Sequence, residues 1–158
     1  MSMSLSGAAK KRLLVIEDDE CLCNFLGKSL EHYGYEPEFL LNGEGIPRKM
    51  ERDHFNLIVM DIQLPGKDGF YWMKWFRNYY PYVPIIIMSA KRNPDERLQG
   101  LKAGACDYVI KPFHDEELLI RIRSALNNGV QKTETPLKII EIGDFILDTV
   151  NGLIIKDA

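Results

Sequence analysis

The chain alternates between short apolar runs and longer segments in which apolar residues recur every three or four positions. Five such runs fall at 12–16, 35–40, 57–60, 85–88 and 108–110. The second is weaker because Glu36 and Glu38 interrupt it, and the others are typical of strands covered on both faces. The segments between them have helical spacing, as in the series Leu22, Phe25, Leu26 and Leu30. Five strands alternating with five helices predict an α/β fold with a doubly wound parallel sheet, flavodoxin-like, of order 2-1-3-4-5.

Glycine and proline mark the predicted helix boundaries. The first helix should end near Gly34, and the fourth should begin at Pro94 and stop at Gly104. Leu98 and Leu101 are the apolar positions that indicate this fourth helix. The third helix follows a turn-forming LPGKDG segment, and the last is indicated by Leu118, Leu119, Ile122, Ala125 and Leu126.

Four of the apolar runs end on polar side chains. Glu17 and Asp18 follow the first run, Asp61 the third, Ser89 the fourth and Lys111 the fifth. Ligands of open parallel sheets bind outside the carboxyl ends of the strands, so these groups should share one site. Two carboxylates about 4 Å apart repel by roughly 4 kcal/mol at an effective dielectric near 20, which favours a cation such as Mg²⁺ between them. The pattern points to phosphoryl transfer on an aspartate.

Length and composition set the domain organisation. With 158 residues, 46% of them apolar, the chain can form one full domain and a small remainder. We expect a disordered tail over 1–11, the α/β domain over 12–128 and a polar linker over 129–136. The last residues, 137–158, predict a short β-hairpin segment that could not form a stable domain alone.

Charge and cysteine content narrow the class of protein. A net charge of -3 and a pI near 5.6 give no electrostatic reason to expect nucleic-acid binding. The three cysteines, Cys21, Cys23 and Cys106, lack disulfide or CxxC spacing, which suits a reducing cytoplasm. Cys21, Cys23 and His32 could form half of a metal site, but packing or surface positions are the favoured interpretation. The apolar run near the amino terminus is too short for a signal or membrane segment, so we expect no membrane association.

The ordered set of motifs resembles the receiver domain of two-component response regulators over residues 12 to about 128. The matching features are the Glu17-Asp18 pair, Asp61 within LIVMDIQLPGKDG, Ser89-Ala90 and the Lys111-Pro112-Phe113 sequence. The resemblance implies that Asp61 is the phosphoacceptor and takes its phosphoryl group from a sensor histidine kinase. Such a domain is a signalling module rather than an ordinary enzyme, able to catalyse its own phosphorylation from small donors and its own dephosphorylation.

The resemblance also assigns roles to the residues around Asp61. It implies that Asp18 and Asp61 bind Mg²⁺ directly, with the backbone carbonyl of Gln63 as a third ligand and Glu17 acting through water. Lys111 should pair with a phosphoryl oxygen, with a cis peptide bond to Pro112. Ser89 should donate to the phosphoryl group, and Tyr108 should be the aromatic switch whose rotamer follows Ser89.

The carboxyl-terminal residues resemble the first strands of the winged-helix effector domain of OmpR/PhoB-type transcription regulators. The resemblance implies DNA binding by a full-length protein, but no specific DNA binding by this chain alone, because no recognition helix is present before Ala158. It also implies a homodimer through the face made by helix four, strand five and helix five. Asp107, Arg121 and Glu117 match the residues that form cross-subunit ion pairs there, although Gln99 replaces one basic partner.

The third helix is rich in aromatic residues that the motifs leave unexplained. Tyr71, Trp75 and Tyr79 should share the side opposite its core face. The rings either lie flat on the protein's own surface or form a patch for a partner or for self-association.

Two other functions compete with the phosphoacceptor. The first is a receiver-like interaction domain that works without phosphate. The second is a phosphohydrolase with Asp61 as nucleophile, which would need an aspartate two residues later, where Gln63 stands.

Overall fold

The computed structural model describes residues 9–131 and three short strands within 139–156. The chain divides into two compact units, residues 1–126 and 127–158. The first unit contains a five-stranded sheet flanked by helices, and the second contains a three-stranded sheet. The candidate chemistry lies in the first unit.

The large sheet is parallel throughout and confirms the predicted strand order. Its strands are β1 (Arg12–Ile16), β2 (Glu36–Leu40), β3 (Leu57–Asp61), β4 (Ile85–Ser89) and β5 (Asp107–Ile110). They run in the order β2-β1-β3-β4-β5, with Ile16 opposite Met60 and Asp61 opposite Met88. This register brings the carboxyl ends of β1, β3, β4 and β5 to one edge, as the doubly wound fold requires.

Five α-helices connect and follow the strands. They are α1 (Glu20–His32), α2 (Ile46–Arg52), α3 (Gly69–Tyr79), α4 (Pro94–Lys102) and α5 (Asp115–Gln131), and a 3-10 helix, Gly43–Gly45, precedes α2. The Asp19 carboxylate caps α1 by accepting from the backbone N–H groups of Cys21 and Leu22. Gly34 follows α1 with a φ of 89°, a left-handed conformation that glycine adopts without strain. Helix α5 continues through 131, into the segment expected to be linker.

The two faces of the sheet carry separate cores because side chains alternate along each strand. Leu14 and Ile16 point to the face that packs against α2 and α3, where Phe76 is fully buried. Leu13 and Val15 point to the opposite face and pack with α1 and α5. Each central strand is therefore covered on both sides, which explains its uninterrupted apolar sequence.

Helix α4 forms where its apolar spacing predicted it, but those apolar residues do not face the sheet. Leu98 and Leu101 are 52% and 39% exposed, and Gly100 is the buried position. A Cβ at Gly100 would lie 3.0 Å from Ile87 and 3.6 Å from the Tyr108 ring. The glycine lets the α4 backbone approach the sheet, and the two leucines are left on the surface.

The second unit contains the strands β6 (Ile139–Ile142), β7 (Phe145–Asp148) and β8 (Leu153–Lys156), which pair antiparallel in the order β6-β7-β8. Residues 149–152 between β7 and β8, most of the predicted linker and residues 1–8 lie outside the described residues. The domain boundaries given by the sequence therefore stay predictions.

Candidate functional site at the carboxyl edge of the sheet

The polar groups that end four of the strands meet at the carboxyl edge of the sheet. Asp61 and Ser89 are the last residues of β3 and β4, while Glu17 and Lys111 directly follow β1 and β5. Glu17 and Asp61 are 1% and 4% exposed, whereas Asp18 faces solvent. The site is therefore acidic, with two of its carboxylates buried and the third exposed.

Lys111 joins the two buried carboxylates. Its Nζ donates to Glu17 Oε1 and to Asp61 Oδ2, at 2.7 Å in each case. The peptide bond between Lys111 and Pro112 is cis, and the Lys111 backbone N–H donates to the Ser89 carbonyl at 2.7 Å. The strand end thus fixes the position of the ammonium, which is the one cation in contact with these two acids among the described residues.

Burial and neighbouring charges shift the pKa values of Glu17 and Lys111. The pKa of Glu17 is raised to about 7, mainly by burial and next by the neighbouring Asp61, while Lys111 opposes the rise. Burial by itself would lower the pKa of Lys111, but its hydrogen bonds to Asp61 and Glu17 outweigh this and raise it. Lys111 therefore keeps its positive charge, whereas Glu17 binds a proton more tightly than an exposed glutamate does.

The acids fit a divalent cation. Glu17, Asp18 and Asp61 each offer an oxygen within 4.8 Å of the other two. Glu17 Oε2 is buried and has no hydrogen-bond partner in the described structure. Mg²⁺ prefers one or two carboxylates together with water and phosphate oxygens, and an unpaired buried carboxylate oxygen is costly without such a charge nearby.

The loop after β3 shapes the surroundings of Asp61. The backbone N–H of Gln63 donates to Asp61 Oδ1 at 2.8 Å, so both oxygens of Asp61 accept a hydrogen bond. This hydrogen bond is made by the backbone N–H of Gln63. The group that the resemblance assigns to the metal is the backbone carbonyl of the same residue. Gly69 packs on Ile62 so tightly that a Cβ there would lie 2.6 Å from Ile62 Cα. The start of α3 therefore restrains the loop that follows Asp61.

Ser89 and Tyr108 meet at a residue that the sequence analysis missed. The Ser89 hydroxyl is fully buried and donates to Glu96 Oε1 at 3.0 Å, and the Tyr108 hydroxyl donates to the same oxygen at 3.2 Å. Tyr108 is 3% exposed, so its ring already lies inward. The one available signal for Glu96 was an acid in the first turn of α4, a feature that helix-dipole effects alone explain.

The residues expected to form cross-subunit ion pairs are paired within the chain. Arg121 donates to Asp107 Oδ1 at 2.8 Å and to Glu117 Oε1 at 3.4 Å. All three are partly or largely exposed at the solvent face of β5 and α5. A dimer that used them across subunits would have to exchange these contacts.

The aromatic side of α3 divides into packed and exposed rings. Trp75 is half-buried, and its ring centroid lies 5.1 Å from that of Tyr79 and 5.7 Å from that of Tyr80. Tyr71 and Tyr79 are 44% and 66% exposed. Trp75 thus lies against its own protein, while a partner for the exposed tyrosines stays a prediction.

Within residues 9–128, none of the three cysteines belongs to a cluster of side chains that could bind a metal. Cys23 is buried and its thiol donates to the Glu17 carbonyl at 3.4 Å, while Cys21 is exposed. Among the described residues, the acidic side chains at the carboxyl edge of the sheet form the group that could hold a metal ion. No helix there is long and apolar enough to cross a membrane.

Comparison with known proteins identifies the family. The model of the response regulator receiver domain matches residues 13–123. Transcriptional regulatory protein RprY of Bacteroides fragilis is 36% identical over 140 residues, which cover 89% of this chain and 59% of that protein. The uncharacterized transcriptional regulatory protein YkoG of Bacillus subtilis is 36% identical over 138 residues, covering 87% of this chain and 58% of that protein. The chain therefore spans less than two thirds of the length of these relatives.

Solved structures give the same assignment. A CheY-like receiver domain protein from Methanospirillum hungatei superposes with a TM-score of 0.73 and 29% identity, covering 78% of this chain and 99% of that one. DrrB of Thermotoga maritima, described as an OmpR/PhoB homologue, covers 94% of this chain and 64% of its own with a TM-score of 0.70, and at 24% identity it supports the fold alone. With its family model, relatives and fold in agreement, the chain belongs to the response regulator receiver domain family.

Proposed function

We propose that this domain accepts a phosphoryl group on Asp61 from the phosphohistidine of a sensor kinase. The observation that carries the proposal is the ammonium of Lys111, held 2.7 Å from an oxygen of Asp61 at the edge where the strands end. An ionised carboxylate needs no general base to attack phosphorus. The bond from an Asp61 oxygen to phosphorus forms as the bond from phosphorus to the histidine nitrogen breaks, and the released imidazole keeps that electron pair.

The residues around Asp61 would stabilise the charge of the transferring group. Lys111 Nζ would donate to the phosphoryl oxygens once Asp61 has become an acyl phosphate, because it already lies within hydrogen-bonding distance of Asp61. Asp18 and Asp61 would hold Mg²⁺ directly, with the Gln63 carbonyl as a third ligand and Glu17 acting through water. The cation would neutralise phosphoryl charge and relieve the repulsion among the three acids. The same groups would serve self-phosphorylation from a small donor and self-dephosphorylation.

The test is phosphorylation by acetyl phosphate with Mg²⁺, followed by intact mass. The wild type should gain the mass of one phosphoryl group, and Asp61→Asn should gain none. Asp68→Asn is the matched control, because Asp68 caps α3 outside the cluster and asparagine caps a helix equally well. An unchanged mass in the wild type would favour the phosphate-independent interaction domain. Rapid release of inorganic phosphate from unrelated phosphate esters would favour the phosphohydrolase.

We infer that phosphorylation controls a dimer through the face made by α4, β5 and α5. Leu98 and Leu101 on α4 are exposed, and Ile120 on α5 is 66% exposed, which supports an apolar contact there. Sedimentation with beryllofluoride should show association that Leu98→Asp removes. Phe25→Asp, at a 49% exposed position on α1, should leave it unchanged. Equal effects of the two substitutions would contradict the choice of face.

The output that fits best is transcription, exerted by a longer protein. RprY and YkoG are named as transcriptional regulatory proteins, and the second unit of this chain contains a short antiparallel sheet of the kind that precedes a winged helix. This chain alone should not recognise a specific DNA sequence. Measurable operator-specific binding by residues 1–158 in an electrophoretic shift assay would refute that expectation.

A further inference from the structure

One carboxylate oxygen of α4 binds both hydroxyl groups of the expected switch. Glu96 Oε1 accepts from Ser89 at 3.0 Å and from Tyr108 at 3.2 Å. The Glu96 side chain is 13% exposed, and its second oxygen lies 3.7 Å from Lys91 Nζ. A partly buried carboxylate with two hydroxyl donors is a strong acceptor, because hydrogen bonds to charged groups are stronger than neutral ones.

Ser89 cannot serve Glu96 and a phosphoryl group together. A serine hydroxyl has one proton to donate, and here that proton goes to Glu96. The same oxygen accepts from the backbone N–H of Lys91 at 3.1 Å, so its acceptor side is also engaged. A phosphoryl oxygen on Asp61 could gain the Ser89 proton only if Glu96 gave it up.

We propose that Glu96 is a positioning residue that competes with the phosphoryl group for the Ser89 hydroxyl. The inference rests on the proposed phosphorylation of Asp61. In the unphosphorylated domain Glu96 holds Ser89 and Tyr108 at the first turn of α4. When Ser89 turns to the phosphoryl oxygen, Glu96 loses one of its two hydroxyl donors, and the first turn of α4 is freed from the strand end. Occupancy of Asp61 is thereby transmitted to α4 by the transfer of a single hydrogen bond.

The test compares the affinity for beryllofluoride with Mg²⁺, an acyl-phosphate mimic, followed through amide NMR shifts. Glu96→Gln weakens the competing acceptor and should tighten binding about tenfold, the factor that about 1.4 kcal/mol produces. Glu96→Asp keeps the charge but withdraws the carboxylate by one methylene, and should act in the same direction. Asp95→Asn is the matched control, because it removes the same charge from the same turn of α4 at an exposed position, and it should bind as the wild type does.

Ser89→Ala separates positioning from a general effect on α4. In the Ser89→Ala background, Glu96→Gln should no longer change the affinity, because the contested hydroxyl is absent. Unchanged or weaker binding by both Glu96 variants would overturn the inference, as would a tightening that persists without the Ser89 hydroxyl. If Asp61 is not the phosphoacceptor, the wild type itself will show no Asp61-dependent response to beryllofluoride, which distinguishes this result from an error in the role of Glu96.

Discussion

Replacing Glu17 by glutamine should change how the stability of the metal-free domain depends on pH. Glu17 is 1% exposed, and burial raises its pKa from 4.5 to about 7. The folded state therefore binds a proton more tightly than the unfolded state does. The stability contributed by this group is complete below about pH 4.5 and is lost as the pH rises through about 7. Glutamine cannot ionise, so the variant escapes this loss.

The size of the effect follows from the pKa difference. A rise from 4.5 to about 7 is about 2.5 units, and each unit corresponds to about 1.4 kcal/mol. Full ionisation of Glu17 should therefore cost the folded state roughly 3 to 4 kcal/mol, and this stability is lost between about pH 4.5 and about pH 7. The stability difference between Glu17→Gln and the wild type should shift by that amount in favour of the variant over this range.

Urea unfolding in a chelating buffer measures this shift directly. Glu31→Gln provides the control, because Glu31 is exposed on α1 and its substitution should leave the pH profile parallel to that of the wild type. Mg²⁺ at about pH 8 should stabilise the wild type more than Glu17→Gln, since a cation offsets the charge of the ionised carboxylate. Parallel profiles for the wild type and Glu17→Gln would refute the reasoning that burial keeps this group protonated.

Two further substitutions test the packing and charge of the fold by urea unfolding. Lys111→Met removes the cation between two buried acids and should lower the free energy of unfolding by roughly 2 to 3 kcal/mol at neutral pH. This is below the range for fully buried pairs because the Lys111 side chain is 20% exposed. An unchanged urea midpoint would contradict this. Gly43→Ala would place a Cβ 1.9 Å from the Trp72 indole nitrogen and should cost about 2 to 3 kcal/mol. Its control, Gly27→Ala, meets a ring atom at 3.3 Å inside a helix and should be neutral or stabilising by up to about 1 kcal/mol. Equal losses at the two glycines would contradict the close approach at Gly43.

The sheet could be predicted because its constraints are local in the sequence. A strand buried on both faces must be apolar throughout, and β3 and β4 are buried along their whole length. Leu98 and Leu101 show where this reasoning fails. Helical spacing identifies a helix correctly, but it cannot tell that Gly100 is the residue that faces the sheet. That choice depends on the close approach of α4 to its neighbours, which no local pattern contains.

The sequence predicted which residues form the site, but not which of them pair with one another. Parallel strands bring Asp61 and Lys111 to one edge, so their proximity follows from topology. That Lys111 divides its donors between Asp61 and Glu17 depends on side-chain geometry. The same holds for Arg121, which pairs with Asp107 inside the chain although the motif suggested a partner in another subunit. The spacing of residues in the sequence identifies the charged side chains of the site, but their three-dimensional positions decide which ion pairs form.

The charge of the site explains why phosphorylation should affect α4. Three acids share one ammonium, and phosphorylation replaces the single negative charge of Asp61 by the nearly two charges of an acyl phosphate. Lys111 already serves two carboxylates, so further donors must come from a cation or from a neighbouring hydroxyl. The Ser89 hydroxyl ends the adjacent strand, and its proton is held by Glu96 on α4. A domain in which that proton were free could stabilise an acyl phosphate without moving α4. Here stabilisation of the phosphoryl group requires breaking a contact of α4, which links occupancy of the site to the face from which an output would be controlled.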